Sequence, residues 1–286
     1  MTESSTAVQD RSIGNIIAET RNLGADQVEK ILTYQRDHRV KFGEAAVALG
    51  LASSDDILFA LSQQFHYSYA QDETNKFSAE LIALSQPFSP QSETFRAIRS
   101  QLIMRFFGEA DAPRRALAVV SPDSGDGKSY FAANLAVTLA QLGGRTLLVD
   151  ADLRGPRQHE MFNLANTSGL SGILAGRAEA NVIQQVPGIG SLFVLPVGVT
   201  PPNPVELVER PAFGLLMREL VAKFDHVIVD TPAASLGSDA NVIAARCGGA
   251  LVVARKDASQ VGALQDLVAA MSASAATVVG VIVNEY

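Results

Sequence analysis

The stretch that most constrains this chain is Ala116 to Leu135, which reads ALAVVSPDSGDGKSYFAANL. It begins with an apolar run of strand length, crosses a turn of small residues, and continues into an alanine-rich run typical of a helix. Such a turn directs backbone N–H groups at phosphate oxygens, and the helix start adds partial positive charge. The spacing follows G-x-x-x-x-G-K-[ST], with Pro122 in place of the first glycine. The stretch therefore predicts a strand, a phosphate loop and a helix.

The G-K-S core of this loop assigns roles to two side chains. In loops of this kind the lysine reaches the β- and γ-phosphates of a nucleotide, and the hydroxyl that follows it binds Mg²⁺. We therefore expect Lys128 to contact phosphate and Ser129 to contact the cation.

Aspartates follow two further apolar runs of strand length. They are Asp150 and Asp152, after residues 146–149, and Asp230, after residues 226–229. The carboxyl ends of parallel strands line one edge of a sheet, so we expect these carboxylates to converge near Lys128. An alternative is that each aspartate caps the helix that follows it. Three strand-terminal acids together with the G-K-S core favour a magnesium–nucleotide site.

Composition narrows the class of protein. The chain has 286 residues, 47% of them hydrophobic and 19% charged, which is typical of a soluble protein. Its net charge of −7 argues against a nucleic acid as partner. We find no apolar run of membrane-spanning length and no signal-peptide pattern at the start, so we expect a cytoplasmic protein. A single cysteine, Cys247, excludes an intramolecular disulfide.

Changes in composition and apolar periodicity along the chain predict four segments. Residues 1–10 are polar and are expected to be a disordered tail. Residues 11–69 place apolar residues at i, i+3 and i+4 throughout, which predicts a small helical interaction domain. Residues 70–90 are polar and proline-containing, which suggests a linker. Residues 91–286 then form the nucleotide-binding domain.

The last segment has a pattern typical of an α/β fold. A helix is expected from about Gln91 to Phe107, and further helical patterns cover residues 211–223 and 259–271. Six apolar runs of strand length alternate with such patterns: 116–120, 146–149, 192–197, 226–229, 250–254 and 278–283. Right-handed crossovers between them give a mostly parallel sheet covered on both faces. The predicted fold is thus a P-loop NTPase sheet with a small N-terminal all-α domain.

These motifs resemble the bacterial tyrosine kinases of capsule and exopolysaccharide systems, and among them the EpsG-like chain-length-determinant kinases. The matching elements are S-P-D-S-G-D-G-K-S, N-L-A at Asn134–Ala136, the second acidic motif at Leu147–Arg157, P-N-P-V-E-L at Pro202–Leu207, V-I-V-D-T-P at Val227–Pro232 and G-V-I-V-N at Gly280–Asn284. The resemblance covers residues from about 91 to 286. Residues 11–69 resemble instead the N-terminal helical domain of type II secretion ATPases.

The resemblance implies ATP-dependent, Mg²⁺-dependent phosphorylation of a protein tyrosine on a MinD/ParA-like scaffold. It also implies a membrane-spanning chain-length regulator, or polysaccharide co-polymerase, as partner, a homo-oligomer, and a peripheral position at the inner membrane through that partner. The residues it assigns to the nucleotide are Ser124, Gly125, Asp126, Gly127, Lys128, Ser129, Tyr130 and Asn284. Those it assigns to catalysis are Lys128, Asp150, Asp152 and Arg154, with Ser129, Asp150, Asp152 and Asp230 on the metal. Glu93, Arg96 and Arg99 match the self-association motif E-x-x-R-x-x-R.

The chain departs from that family in its tyrosines. Family members usually end in a tyrosine cluster, whereas this chain has only Tyr34, Tyr67, Tyr69, Tyr130 and Tyr286. Two other functions stay open. One is a MinD/ParA-like positioning ATPase, although that class has a second lysine where this chain has Asp123. The other is a non-catalytic switch in which ATP controls assembly with a co-polymerase.

Overall fold

The computed structural model describes residues 12–53, 56–57, 59–60, 77–108, 113–177 and 180–285. The chain divides into two compact units, Met1–Gln71 and Asp72–Tyr286. The expected tail at residues 1–10 lies outside the described residues. Among the described residues, no helix is both long enough and apolar enough to cross a membrane.

The N-terminal unit is helical where it is described. Its helices are α1 (Ile13–Thr20), α2 (Ala25–His38) and α3 (Phe42–Ala48). Apolar side chains from all three helices and from the residues after them form one small core: Ile16, Ile17, Ile31, Ala45, Ala46, Ala52 and Ala60. Each helix has one apolar face, and burial of these faces against each other gives the unit a core of its own.

A buried aspartate also stabilises the N-terminal unit. One oxygen of Asp56, Oδ2, accepts the Ser53 backbone N–H and hydroxyl, both at 2.6 Å. The same oxygen accepts Nε–H of Arg21 at 2.7 Å. The carboxylate therefore has neutral donors and a cation around it.

The second unit alternates strands and helices. Its strands are β1 (Ala116–Val120), β2 (Thr146–Asp150), β3 (Gln184–Gln185), β4 (Leu192–Leu195), β5 (His226–Asp230), β6 (Gly248–Arg255) and β7 (Thr277–Asn284). Its α-helices are α4 (Ile82–Ser85), α5 (Pro90–Leu102), α6 (Lys128–Ala140), α7 (Gln158–Met161), α8 (Leu170–Leu174), α9 (Pro204–Glu209), α10 (Pro211–Lys223), α11 (Asp239–Cys247) and α12 (Val261–Ala273).

The strands form one sheet in the order β3-β4-β2-β5-β1-β6-β7. Every neighbouring pair is parallel except β3 with β4. This confirms the predicted mostly parallel α/β fold, and each of the six predicted runs overlaps a strand. The sequence did not predict β3, because two residues are too few to show a pattern. In the register of β2 and β5, Asp150 lies directly opposite Asp230.

Alternate residues of the central strand β1 enter two different cores. Ala116, Ala118 and Val120 face one cluster, and Leu117 and Val119 face the other. Both sides of the sheet are therefore covered, which is why its central strands read as continuous apolar runs. The phosphate-loop helix α6 is buried along nearly its whole length in the second cluster.

The prediction of a linker at residues 70–90 is wrong for residues 77–90. Leu81, Ile82, Ala83 and Leu84 are at most 6% exposed and belong to the core of the second unit. Buried Asn134 of α6 fixes them, because its Oδ1 accepts Ala83 N–H at 3.0 Å. Residues 70–76 lie outside the described part of the chain.

The predicted helix from Gln91 to Phe107 begins one residue earlier, at Pro90, and its last turn widens into a π-helix at Ile103–Phe107. Ser89 caps its start by accepting Ser92 N–H at 3.2 Å. The stretch Pro202–Leu207 is helical from Pro204 onward, since Pro204 occupies the first position of helix α9.

Candidate active site

The phosphate loop connects β1 to α6 and ends at Gly127. This residue has a φ of 97°, a left-handed conformation, and a Cβ atom there would collide with Nδ2 of Asn284. The Asn284 amide donates to the carbonyl oxygen of Asp126 at 3.1 Å, so the end of β7 contacts the loop directly. Both the conformation and the close approach require glycine.

The side chain of Asp126 makes its hydrogen bonds within the protein. It is buried, and its carboxylate accepts Asp123 N–H at 2.9 Å and the Ser259 hydroxyl at 2.8 Å. The side chain therefore fixes the shape of the loop, and only its backbone is left for a phosphate.

A cleft with a volume of about 700 Å³ opens beside the loop. The expected site residues that line it are Ser124, Gly125, Gly127, Lys128, Ser129, Tyr130, Asp152, Arg154 and Asn284. Lys128 is only 6% exposed, so its ammonium group is largely shielded from water. The loop, the second acidic motif and the end of β7 thus meet where the sequence predicted.

Asp150 and Asp230 lie behind the cleft and are 0% exposed. Both oxygens of Asp150 are engaged: Oδ1 accepts Asp152 N–H at 3.2 Å, and Oδ2 accepts the N–H groups of Arg157 and Gln158 at 3.1 and 3.0 Å. Burial and the charge of Asp230 raise the pKa of Asp150 well above its usual value.

Burial likewise raises the pKa of Asp230 to about 6, although Gln158, Ser129 and Lys128 counteract part of the effect. Its Oδ2 accepts Nε2–H of Gln158 at 2.8 Å. Its Oδ1 is buried and has no hydrogen-bond partner among the described residues. Two buried carboxylates therefore lie opposite each other, and Lys128 is the cation whose charge acts on Asp230.

This donor set fits Mg²⁺. A hydroxyl and a carboxylate oxygen are ligands that hard cations prefer, and Mg²⁺ usually takes one or two carboxylates together with substrate phosphates. Within the described ranges, no three acidic, histidine or cysteine side chains form a ready-made metal cage. Asp150, Asp152 and Asp230 thus do not converge as three equal ligands. Ser129 and the unpaired oxygen of Asp230 stay the candidate ligands for the cation.

Arg154 lines the cleft and is held by a residue that sequence reasoning missed. Its Nε–H and Nη2–H donate to Oδ2 of Asp239 at 3.2 and 3.0 Å, and Asp239 is 2% exposed. An arginine has five N–H donors, so this pair leaves others for a phosphate. The residues that follow Asp152 orient its carboxylate, because Oδ1 accepts the backbone N–H groups of Arg154 and Gly155 at 3.1 and 2.9 Å.

Three more polar residues of the site were not predicted as site residues. Arg157 and Glu80 line the cleft and form an ion pair at 2.7 Å. Gln158 is buried behind it, between the two aspartates. The second acidic motif already contained Arg157, but a single glutamine carries no pattern that would have marked it.

The three charged residues of α5 do not form an open face. Arg96 contacts Glu93 and the carbonyl oxygen of Pro87. Arg99 donates to the carbonyl oxygen of Thr138 in α6 at 2.8 Å. Of the three, Glu93 projects furthest, with its side chain 65% exposed. Their role in self-association stays a prediction.

Comparison with known proteins agrees with this architecture. Residues 117–286 match the family described as the CobQ/CobB/MinD/ParA nucleotide binding domain. The second unit is therefore a P-loop nucleotide-binding domain of that class.

Named relatives define the family more closely. The chain is 36% identical over 179 residues to tyrosine-protein kinase YwqD of Bacillus subtilis, covering 63% of this chain and 74% of that protein. It is 33% identical over 194 residues to tyrosine-protein kinase CpsD of Streptococcus agalactiae, covering 68% and 82%. The solved kinase domain of Escherichia coli tyrosine kinase ETK is 31% identical and superposes with a TM-score of 0.68 over 75% of this chain and 83% of that one. The chain belongs to the bacterial tyrosine kinase family.

Proposed function

We propose that the chain transfers the γ-phosphoryl group of ATP to a protein tyrosine in an exopolysaccharide system, with Mg²⁺ as the metal. The observation that carries this proposal is the cleft lined by the phosphate loop and buried Lys128, behind which two aspartates, Asp150 and Asp230, are buried opposite each other. A cation with a phosphate supplies the charge that such a site needs. Membership of the tyrosine kinase family supports tyrosine as the acceptor.

Each side chain then has one task. Bound Mg²⁺-ATP supplies the phosphoryl group and a cation that neutralises its charge. Lys128 and the loop N–H groups bind the phosphate oxygens, and Ser129 and Asp230 hold the metal. Asp152, which lines the cleft, takes the proton of the tyrosine hydroxyl. The tyrosine oxygen then bonds to the γ-phosphorus while the bond between that phosphorus and ADP breaks.

Arg154 stabilises the charge that develops on the transferred group. Its orientation comes from Asp239, which holds the guanidinium by two N–H groups. A rigid, preoriented cation needs no rearrangement during the reaction.

Family resemblance supports two further parts of the proposal. The partner is a membrane-spanning chain-length regulator, which places this chain at the cytoplasmic face of the inner membrane. Self-association through Glu93, Arg96 and Arg99 brings the acceptor tyrosine of one copy to the cleft of another.

The test compares wild type with Lys128→Met. With γ-labelled ATP, Mg²⁺ and a glutamate–tyrosine copolymer as acceptor, we expect phosphotyrosine from wild type and about 1,000-fold less or none from the variant, since charge stabilisation at the phosphates dominates this reaction. Lys223→Met is the matched control, because the side chain of Lys223 in α10 is 65% exposed and, among the described residues, forms its ion pair with Glu219. Unchanged turnover in Lys128→Met would show that this loop is not the site.

A further inference from the structure

Gln158 is a buried polar residue to which the proposed reaction gives no role. It is the first residue of α7, it is 0% exposed, and it does not line the cleft. Burial of an amide is unfavourable unless its polar atoms are hydrogen-bonded. The partners of Gln158 therefore indicate what it is for.

Gln158 donates hydrogen bonds to three residues that the resemblance assigns to the metal: Asp230, Ser129 and Asp150. Its Nε2 donates to Oδ2 of Asp230 at 2.8 Å and to the carbonyl oxygen of Ser129 at 3.1 Å. Its backbone N–H donates to Oδ2 of Asp150 at 3.0 Å. One residue thus joins the end of β2, the end of β5 and the start of α6.

This arrangement selects one oxygen of Asp230. Because Gln158 occupies Oδ2, the carboxylate cannot rotate freely, and Oδ1 is the atom that stays without a partner among the described residues. The amide oxygen Oε1 of Gln158 is also buried there without a partner. An acceptor oxygen of Asp230 that is left without a donor is a suitable ligand for a divalent cation.

We infer that Gln158 is a positioning residue that orients Asp230 and Ser129 for the divalent cation of the nucleotide complex. The inference rests on the proposed function and deepens it, since it assigns control of metal affinity to a residue outside the cleft. If Gln158 only filled space, an apolar side chain of the same length would replace it without effect on the metal.

Gln158→Met separates these two roles. The variant keeps the length of the side chain and removes both amide donors. The measurement is equilibrium binding of a fluorescent ATP analogue while Mg²⁺ is titrated, with a parallel series in EDTA. We expect the half-saturating Mg²⁺ concentration to rise about 10- to 100-fold, the usual effect of losing a residue that orients a metal ligand. Binding in EDTA should change less than about twofold, because Gln158 does not line the cleft.

Gln141→Met is the matched control. Gln141 also donates its side-chain amide to a backbone carbonyl, that of Ala83 at 3.3 Å, but it lies at the other end of α6. We expect its Mg²⁺ titration to follow wild type. An unchanged half-saturating Mg²⁺ concentration in Gln158→Met, with the protein folded, would overturn the inference.

A second variant and the behaviour of wild type complete the test. If Gln158→Met does not fold, Gln158→Leu, which is shorter, is titrated in the same way and the same criterion applies. If wild type itself binds the analogue without any dependence on Mg²⁺, the proposed function fails together with this inference. If wild type depends on Mg²⁺ and both Gln158 variants match it, only the role of Gln158 is wrong.

Discussion

The two units of this chain both bury aspartates, and they surround them in opposite ways. In the N-terminal unit, burial acts to raise the pKa of Asp56, but hydrogen bonds from Ser53 and Arg21 outweigh it and the pKa is lowered. In the second unit, burial raises the pKa of both Asp150 and Asp230, and the charge of Asp230 adds to the effect on Asp150.

The difference separates a structural acid from acids that await a ligand. Asp56 has its counter-charge inside the protein, so the folded unit is complete without anything bound. Asp150 and Asp230 have mainly neutral donors around them, so a cation entering the site removes an existing repulsion. Burial alone therefore does not mark a functional carboxylate, whereas burial of two carboxylates opposite each other, with the charge of one raising the pKa of the other, does.

The largest effect is expected from a pair of deletions that compares the N-terminal unit with the second unit. Removal of residues 1–71 takes away Asp56 and its partners, and we expect ATP turnover to stay within about twofold, because the second unit has its own core. Removal of residues 1–90 also takes away buried Leu81–Leu84, and we expect an unfolded, inactive protein. Circular dichroism and ATP hydrolysis of both products are the measurements. Equal loss of activity in the two would mean that the units are one domain.

The pH dependence of stability should differ in sign between the two units. Asp230 has a pKa near 6 in the folded protein against 3.8 for the free group, so between these values the folded state holds more protons. Its contribution to stability therefore falls as pH rises from about 4 to about 6. Asp56 has a lowered pKa, so its contribution is present at neutral pH and is lost in acid as pH falls through that pKa.

Urea denaturation of the chain without residues 1–71, from pH 4 to pH 7, measures the first effect. Asp230→Asn should flatten the curve, because the titrating group is gone and the repulsion on Asp150 is removed as well. If the stability of wild type and of Asp230→Asn changed with pH in parallel, the pH dependence would not come from Asp230.

The smallest effect is expected at Asp56. Asp56→Asn removes the charge that pairs with Arg21 and weakens the hydrogen bonds from Ser53. We expect the N-terminal unit to lose about 1–3 kcal/mol of stability, the usual effect of disrupting a buried hydrogen-bonded carboxylate. ATP turnover should not change. Thermal unfolding of the full chain and its ATP hydrolysis, measured on one preparation, test both statements.

Sequence reasoning predicted the sheet and the loop because both leave local patterns. Buried parallel strands read as apolar runs, and the loop combines small residues with Lys128 and Ser129 at a fixed spacing. It failed at α4, where four apolar residues lie between a polar stretch and Pro87, so the segment resembled a linker. It also failed at Gln158 and Asp239, since each acts through a residue distant in the sequence, and such a contact leaves no periodic signal.

We expect that Asp150 and Asp230 are held together, against their repulsion, for a magnesium–nucleotide ligand. The most direct measurement is thermal unfolding of wild type and Asp230→Asn at pH 7.5, each with and without Mg²⁺ and ATP. We predict that without ligand the variant unfolds at a higher temperature than wild type, and that ligand raises the unfolding temperature of wild type only. A variant that unfolds at a lower temperature and is still stabilised by Mg²⁺ and ATP to the full extent would contradict the claim.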